Sequence, residues 1–203
     1  MKVANPIDRA MLARIQARGD GWVFSPTDFI DLGKRPAVDK ALSRMAAAGS
    51  IRRVARGLYD VPKQHPIVGI TAPSIDQVAK AVAGKGGTRL QPTGAYAANL
   101  LGLSDQVPAK VVFLTDGRSK RIQLGKLSIV LRQTSPRIMT TAGTVSGVVI
   151  QALRYLGKAH VTDDTVKRLD GRLSADDRKQ LLKDLAYAPA WIADIMRRLA
   201  VKA

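Results

Sequence analysis

Cysteine is absent from the 203 residues, which excludes a disulfide framework and a thiolate zinc site and fits a reducing compartment. Histidine is scarce. His65 and His160 stand at no metal-ligand spacing from each other or from a carboxylate pair, so neither a metal site nor a cofactor is expected. No apolar run approaches the roughly 18–20 residues that a membrane span requires, and the N-terminus lacks the continuous apolar core of a signal peptide. A membrane partner is therefore not expected, and a cytoplasmic location is. Internal repeats and low-complexity segments are also missing.

Acid is the remaining deficit. Sixteen Asp and Glu residues oppose 33 Lys and Arg, giving a formal charge of +17 and a pI near 10.7, more than solubility requires. A polyanion is the expected partner. The basic residues are distributed through patterned segments and do not mass in one cluster, which favours nucleic acid over a membrane surface.

The stretch from Phe24 to Pro62 organises that charge. Residues 5–18 precede it as a support helix, with Asn5 as cap, Pro6 at the first helical position, Ile7, Ala10, Met11 and Ile15 on one face, and Gly19 as stop. The short apolar run Gly21–Phe24 is either a strand pairing with later residues or an extended connector, with Trp22 in the core. Ser25-Pro26-Thr27-Asp28 has the composition of a helix start, with Phe29, Ile30 and Leu32 as its buried side and Gly33 as its break. A third helix begins at Lys34-Arg35-Pro36, and its Val38, Ala41, Leu42 and Met45 fall at i, i+3, i+4 and i+7.

The third helix has two faces of different character. A recognition helix needs one stripe locked in a core and another free to enter a major groove, with small residues near its N-terminus. Arg35, Ala37, Lys40 and Arg44 meet that need. After Gly49, Ile51 and Val54, then Leu58 and Val61, imply two short strands around Ala55-Arg56-Gly57. Such a hairpin carries Arg52, Arg53 and Arg56 toward phosphates or a minor groove. The order is that of a helix-turn-helix with a β-hairpin wing.

Residues 63–73, with Pro66, Gly69 and Pro73, are expected to be a linker. This places a DNA-binding domain at residues 1–65 and a second domain at 74–203. The second domain is expected to be α+β: a helix from Ser74 stopped by the glycines after Ala83, a short strand at 89–91, and a small-residue helix at 93–101. A buried strand at 110–114 and a hairpin around Gly125 follow, completing a small, mostly antiparallel sheet. The most apolar helix spans 144–156. Three further helices follow at 163–169, 175–185 and 189–201.

No catalytic constellation stands out. Gly143-Thr144-Val145-Ser146-Gly147 lacks the spacing of a serine-nucleophile turn and is expected to enter a helix. The pairs Asp163-Asp164 and Asp176-Asp177 fall in first helical turns, where they stabilise the macrodipole by about 0.3–1 kcal/mol each without chemistry. An enzyme is not expected.

Two stretches carry a family resemblance: FSPTDFIDLGKRPAVDKALSRMAAAGSIRRVARGLYDVPK and TGAYAANLLGLSDQVPAKVVFLTDGRSKRIQLG. With the linker between them they cover most of residues 24–125. They are similar to the AbiE-type antitoxins, transcriptional regulators encoded beside nucleotidyltransferase toxins in phage-defence and toxin-antitoxin operons. The resemblance implies an N-terminal winged helix-turn-helix that binds inverted repeats of double-stranded DNA in its own promoter and represses transcription. It also implies a C-terminal domain that counteracts the cognate nucleotidyltransferase toxin, with or without a stable complex. DNA contact is carried onto Arg35, Lys40, Arg44, Arg52, Arg53 and Arg56. Arg118, Lys120 and Arg121 form a candidate second nucleic-acid surface. Two other readings stay open: a nuclease or nucleic-acid-modifying enzyme with a winged-helix specificity module, and an RNA- or toxin-binding interaction protein.

Overall fold

A computed structural model describes residues 6–67, 69–84, 86–106 and 108–201. The chain is a mixed α+β protein with small sheets and a helical C-terminal region. Asn5, the expected cap of the first helix, lies outside the described residues.

Two compact units divide between Gly87 and Thr88. In the first, helix α1 (Pro6–Arg18) leads to strand β1 (Val23–Phe24), a 3-10 turn at Pro26–Phe29 and helix α2 (Arg35–Ala47). Strands β2 (Arg52–Ala55) and β3 (Leu58–Asp60) form the expected hairpin. Gly57 turns it at φ +73°, in the left-handed region that other residues reach only at a cost. β1 is a strand and not a connector. It pairs antiparallel with β3, Phe24 opposite Tyr59, giving the order β1-β3-β2.

The core of this unit follows the periodicity. Val38, Ala41, Leu42 and Met45 of α2 are buried against Met11 and Ile15 of α1; a fully buried Val, Leu or Met side chain contributes roughly 1.5–3 kcal/mol. Phe24, Phe29 and Tyr59 are buried beside Trp22, with Trp22–Phe24 and Phe24–Phe29 centroids 4.7 and 5.5 Å apart.

Three expectations are corrected here. The helix expected from Pro26 to Leu32 is a single 3-10 turn, and Ile30, expected in the core, is 58% exposed. The Asp28 carboxylate accepts from the Ser25 backbone N–H at 2.8 Å, so the capping chemistry is present, but the buried side narrows to Phe29 and the partly buried Leu32. Residues 63–73 are not a plain linker. β4 (Gln64–His65) and β5 (Gly69–Ile70) pair antiparallel, and the Thr71 N–H donates to the Lys63 carbonyl at 3.0 Å. Helix α3 (Ile75–Ala83), which the sequence assigns to the second domain, belongs to the first unit; its Val78 and Ala79 are fully buried and the helix packs beside β1.

The second unit contains β6 (Leu90–Thr93), α4 (Gly94–Leu100), β7 (Lys110–Thr115), β8 (Lys120–Leu124) and β9 (Leu127–Gln133). The sheet order is β6-β7-β9-β8. β6–β7 and β8–β9 are antiparallel, whereas the central pair β7–β9 is parallel, so the sheet is mixed at its middle. Helix α5 (Val145–Leu156) is its most buried helix. The Gly147 N–H donates to the Thr144 hydroxyl at 3.2 Å as a cap, and a Cβ on Gly147 would lie 2.1 Å from Gln91 Oε1 and 2.3 Å from the Thr141 carbonyl oxygen. Ser146 is fully buried there, so Gly143–Gly147 packs a helix start, as expected. Helices α6 (Asp163–Asp170), α7 (Ala175–Lys183) and α8 (Ala190–Val201) complete the core around Leu153, Leu169, Leu181 and Met196.

Candidate nucleic-acid interface

Helix α2 buries one stripe and exposes another. Arg35, Lys40, Ser43, Arg44 and Ala47 are exposed and Ala37 is half-buried. Ala37, Lys40, Ser43 and Ala47 recur at i, i+3, i+6 and i+10, so they share a side of the helix. Lys40 has no ion-pair partner among the described residues, so its charge is available.

The other cations of α2 are already engaged. Arg44 forms a two-point ion pair with Asp8 of α1, Nη2–Oδ1 2.7 Å and Nε–Oδ2 3.2 Å. Its guanidinium is held above its ordinary pKa, first by that hydrogen bond. Arg35 pairs with Asp39 one turn on at 2.9 Å, with both side chains about half exposed. Such a surface i,i+4 pair is worth only about 0.3–0.5 kcal/mol, so releasing Arg35 from Asp39 costs little. The first turn of α2 holds no acid, which leaves its N-terminus electrostatically open to an anion. Exposed Lys34 stands at the N-cap there. Sequence reasoning missed Lys34 and Ser43 as surface contributors; the signal for both was their place in the helical repeat.

The hairpin separates its arginines. Arg52 lies opposite Asp60 and binds its carboxylate at two points, Nη2–Oδ2 2.5 Å and Nε–Oδ1 3.0 Å, while also donating to the Thr71 carbonyl at 3.0 Å. Asp60 is 1% exposed. The Asp60 hydrogen bond raises the Arg52 pKa, against partial desolvation. Arg52, expected to meet DNA, is therefore a structural clamp on β2, β3 and the chain at Thr71. Arg53 and Arg56 are exposed, and neither has an ion-pair partner among the described residues. The cations of these two elements that remain available are thus Lys34, Arg35 and Lys40 on α2 and Arg53 and Arg56 on the hairpin.

In the second unit the three expected cations do not form one surface. Lys120 lies opposite Leu131 and Arg121 opposite Val130, and successive residues of a strand point to opposite faces. Lys120 and Arg121 therefore face opposite sides of the sheet, while exposed Arg118 precedes the strand.

Aromatic placement adds a second constraint. Phe24, Phe29 and Tyr59 of the first unit are committed to its core, and the Arg18 guanidinium lies 5.7 Å from the Trp22 ring centroid. That unit exposes no phenylalanine or tyrosine on which an unpaired base could stack. Among the described residues no group of three or more His, Asp or Glu side chains is placed to hold a metal, and no helix is long and apolar enough to cross a membrane. The acids flagged above are engaged in capping and ion pairs: Asp177 accepts from the Ser174 N–H at 3.0 Å, Asp164 pairs with Arg168, Asp163 with Arg198 and Asp176 with Lys179.

A family model described as a family of unknown function (DUF6088) matches residues 10–181, across both units. No curated protein and no solved structure gives a match.

Proposed function

Starting from a chain that belongs to the DUF6088 family of unknown function, we propose that the first unit is a winged helix-turn-helix that binds duplex DNA and that the protein is an autorepressing antitoxin. α2 is the reading helix: Lys40, with Ala37 and Ser43 beside it, faces base edges, and Lys34 and Arg35 meet the phosphate at its N-terminus. The β2–β3 hairpin is the wing, laying Arg53 and Arg56 along the backbone or in a minor groove. Arg44 and Arg52 hold the helix and the wing in place through Asp8 and Asp60.

The observation that carries the DNA reading is the exposure of Lys40, Arg53 and Arg56, without ion-pair partners among the described residues, on a unit whose phenylalanines and tyrosine are withdrawn into its core. That combination suits a duplex, recognised by charge and groove contact, better than single strands, recognised by stacking. The antitoxin role rests on the likeness of residues 24–125 to the AbiE-type antitoxins. It predicts inverted repeats upstream of the gene, a neighbouring nucleotidyltransferase gene, and repression of that operon in the cytoplasm.

The test has two arms. In the first, the purified protein binds a duplex from its own upstream region more tightly than a scrambled duplex at moderate salt. Equal binding to both duplexes contradicts sequence-specific repression, and a preference for structured RNA favours the RNA-binding reading. In the second, growth arrest caused by the neighbouring nucleotidyltransferase is relieved on co-expression of this chain. Persistent arrest contradicts the antitoxin role while leaving DNA binding intact.

A further inference from the structure

The second unit contains a pocket that the DNA-binding reading does not use. Its walls come from the 3-10 turn at Ile138–Thr141, helix α5 and the turn at Leu185–Tyr187. The volume is about 350 Å³, within the roughly 300–1,000 Å³ of small-molecule sites.

Its lining is selective in charge. Arg137 and Arg154 both border it, and no carboxylate does. Arginines that tie elements of this unit together are matched to aspartates, as Arg89 is to Asp116 at 2.8 Å and Arg178 to Asp170 at 2.7 Å. Arg137 and Arg154 have no acidic partner among the described residues, so two uncompensated cations border one concavity.

Gln151 supplies a directional group. It is 8% exposed and lines the same pocket. Its Oε1 accepts from the Thr93 hydroxyl at 2.9 Å, which fixes the amide, and Nε2 has no acceptor among the described residues. That donor is available to a ligand oxygen or nitrogen. Tyr187, 42% exposed, and the side chain of Ile150 give the pocket an aromatic and an apolar surface.

The ligand these groups describe carries a multiply charged oxyanion, a hydrogen-bond acceptor and a flat body. We propose that this pocket binds a nucleoside monophosphate. Arg137 and Arg154 hold its phosphate, Tyr187 stacks on its base, and Gln151 Nε2 donates to the base or sugar. Arginine is suited to the phosphate because its planar fork offers paired donors, and the stack resembles the base–aromatic contacts of nucleic-acid sites. The assignment is independent of the DNA-binding role of the first unit.

Isothermal titration of the full chain tests it, with the 5′-monophosphates of adenosine, guanosine, cytidine and uridine, the four free nucleosides, and inorganic phosphate. At least one monophosphate should bind about tenfold or more tightly than both its nucleoside and inorganic phosphate. Arg137→Ala and Arg154→Ala should each weaken that binding by about tenfold or more, with unliganded unfolding midpoints unchanged because both side chains are exposed. Gln151→Glu, which sets a negative charge against the phosphate, should abolish it. The assignment is overturned if no monophosphate binds up to about 1 mM, if inorganic phosphate binds as tightly as the nucleotide, or if Arg154→Ala binds as the wild type does.

Discussion

On β2 and on β8 the chain sets two basic residues side by side, Arg52-Arg53 and Lys120-Arg121, and in each case strand geometry gives the neighbours different fates. On β2 the division is between a paired and an exposed side chain. Arg52 meets a buried aspartate and becomes part of the fold, while Arg53 remains exposed, as Arg56 does in the hairpin that follows. On β8 the register places Lys120 in a row with Leu131 and Phe113, and Arg121 in the next with Val130 and Val112. Adjacent cations are therefore a poor guide to a binding surface. What decides is whether an acid lies across the ladder and which side of the sheet each side chain takes.

The sharpest way to break this comparison is to remove the clamp. Arg52→Ala leaves the Asp60 carboxylate, 1% exposed, without its charge partner, and should cost the first unit about 2–4 kcal/mol. This is somewhat less than for a wholly buried pair, because Arg52 keeps some solvent contact. Arg53→Ala should change stability by no more than about 0.5 kcal/mol. Urea unfolding of the two variants checks the contrast, and equal losses would remove the distinction between clamp and contact.

DNA affinity should show the reverse order. Lys40→Ala should cost about 1–3 kcal/mol at one operator position and relax the base preference there. Arg53→Ala and Arg56→Ala should weaken binding to all duplexes alike, each lowering the slope of log affinity against log salt by about 0.9. Competition binding to single-base operator variants at several salt concentrations separates the two classes.

A smaller effect concerns acid. The Arg89 guanidinium holds the Asp116 carboxyl below its ordinary range, first through the side-chain hydrogen bond and also through the backbone N–H of Arg89. A depressed carboxylate adds stability that is fully present above its unfolded pKa of about 3.9 and is lost as pH falls through the lower folded value. The Asp116 carboxyl should therefore titrate below the free range in an NMR pH series and move upward in Arg89→Ala. Least of all, Arg121→Ala should leave both operator affinity and its salt slope at the wild-type value. A drop in slope matching that of Arg53→Ala would restore a second DNA surface.

Local features of the fold were legible because short-range physics governs them. The buried stripe of α2, the Gly57 turn, the Thr144 start of α5 and its stop at Gly157 all follow from patterning and capping within a few residues. Features set by distant partners were not. Arg44 and Asp8 are 36 positions apart, so nothing near Arg44 signals its engagement. β4 and β5 are two-residue strands with exposed side chains, held by backbone pairing that leaves no alternation to detect. The unit boundary moved past α3 because Val78 and Ala79 bury into the first unit, a choice of partner that their helical spacing does not encode. Of the candidate interface, residue types and elements were legible from sequence; which cations remain available was not.

In the proposed division of roles, the exposed cations of α2 and the β2–β3 hairpin bind operator DNA while Arg52 only holds the hairpin. This division is tested most directly by titrating the full chain and the Lys40→Ala, Arg53→Ala, Arg56→Ala triple variant against a duplex from the gene's own upstream region and a scrambled duplex, across a salt series. The wild type should prefer the upstream duplex. In the triple variant that preference should disappear, the salt slope should fall by about 1.8, from the two hairpin phosphate contacts, and the unfolding midpoint should stay at the wild-type value. A triple variant that still distinguishes the two duplexes with an unchanged slope would contradict that division.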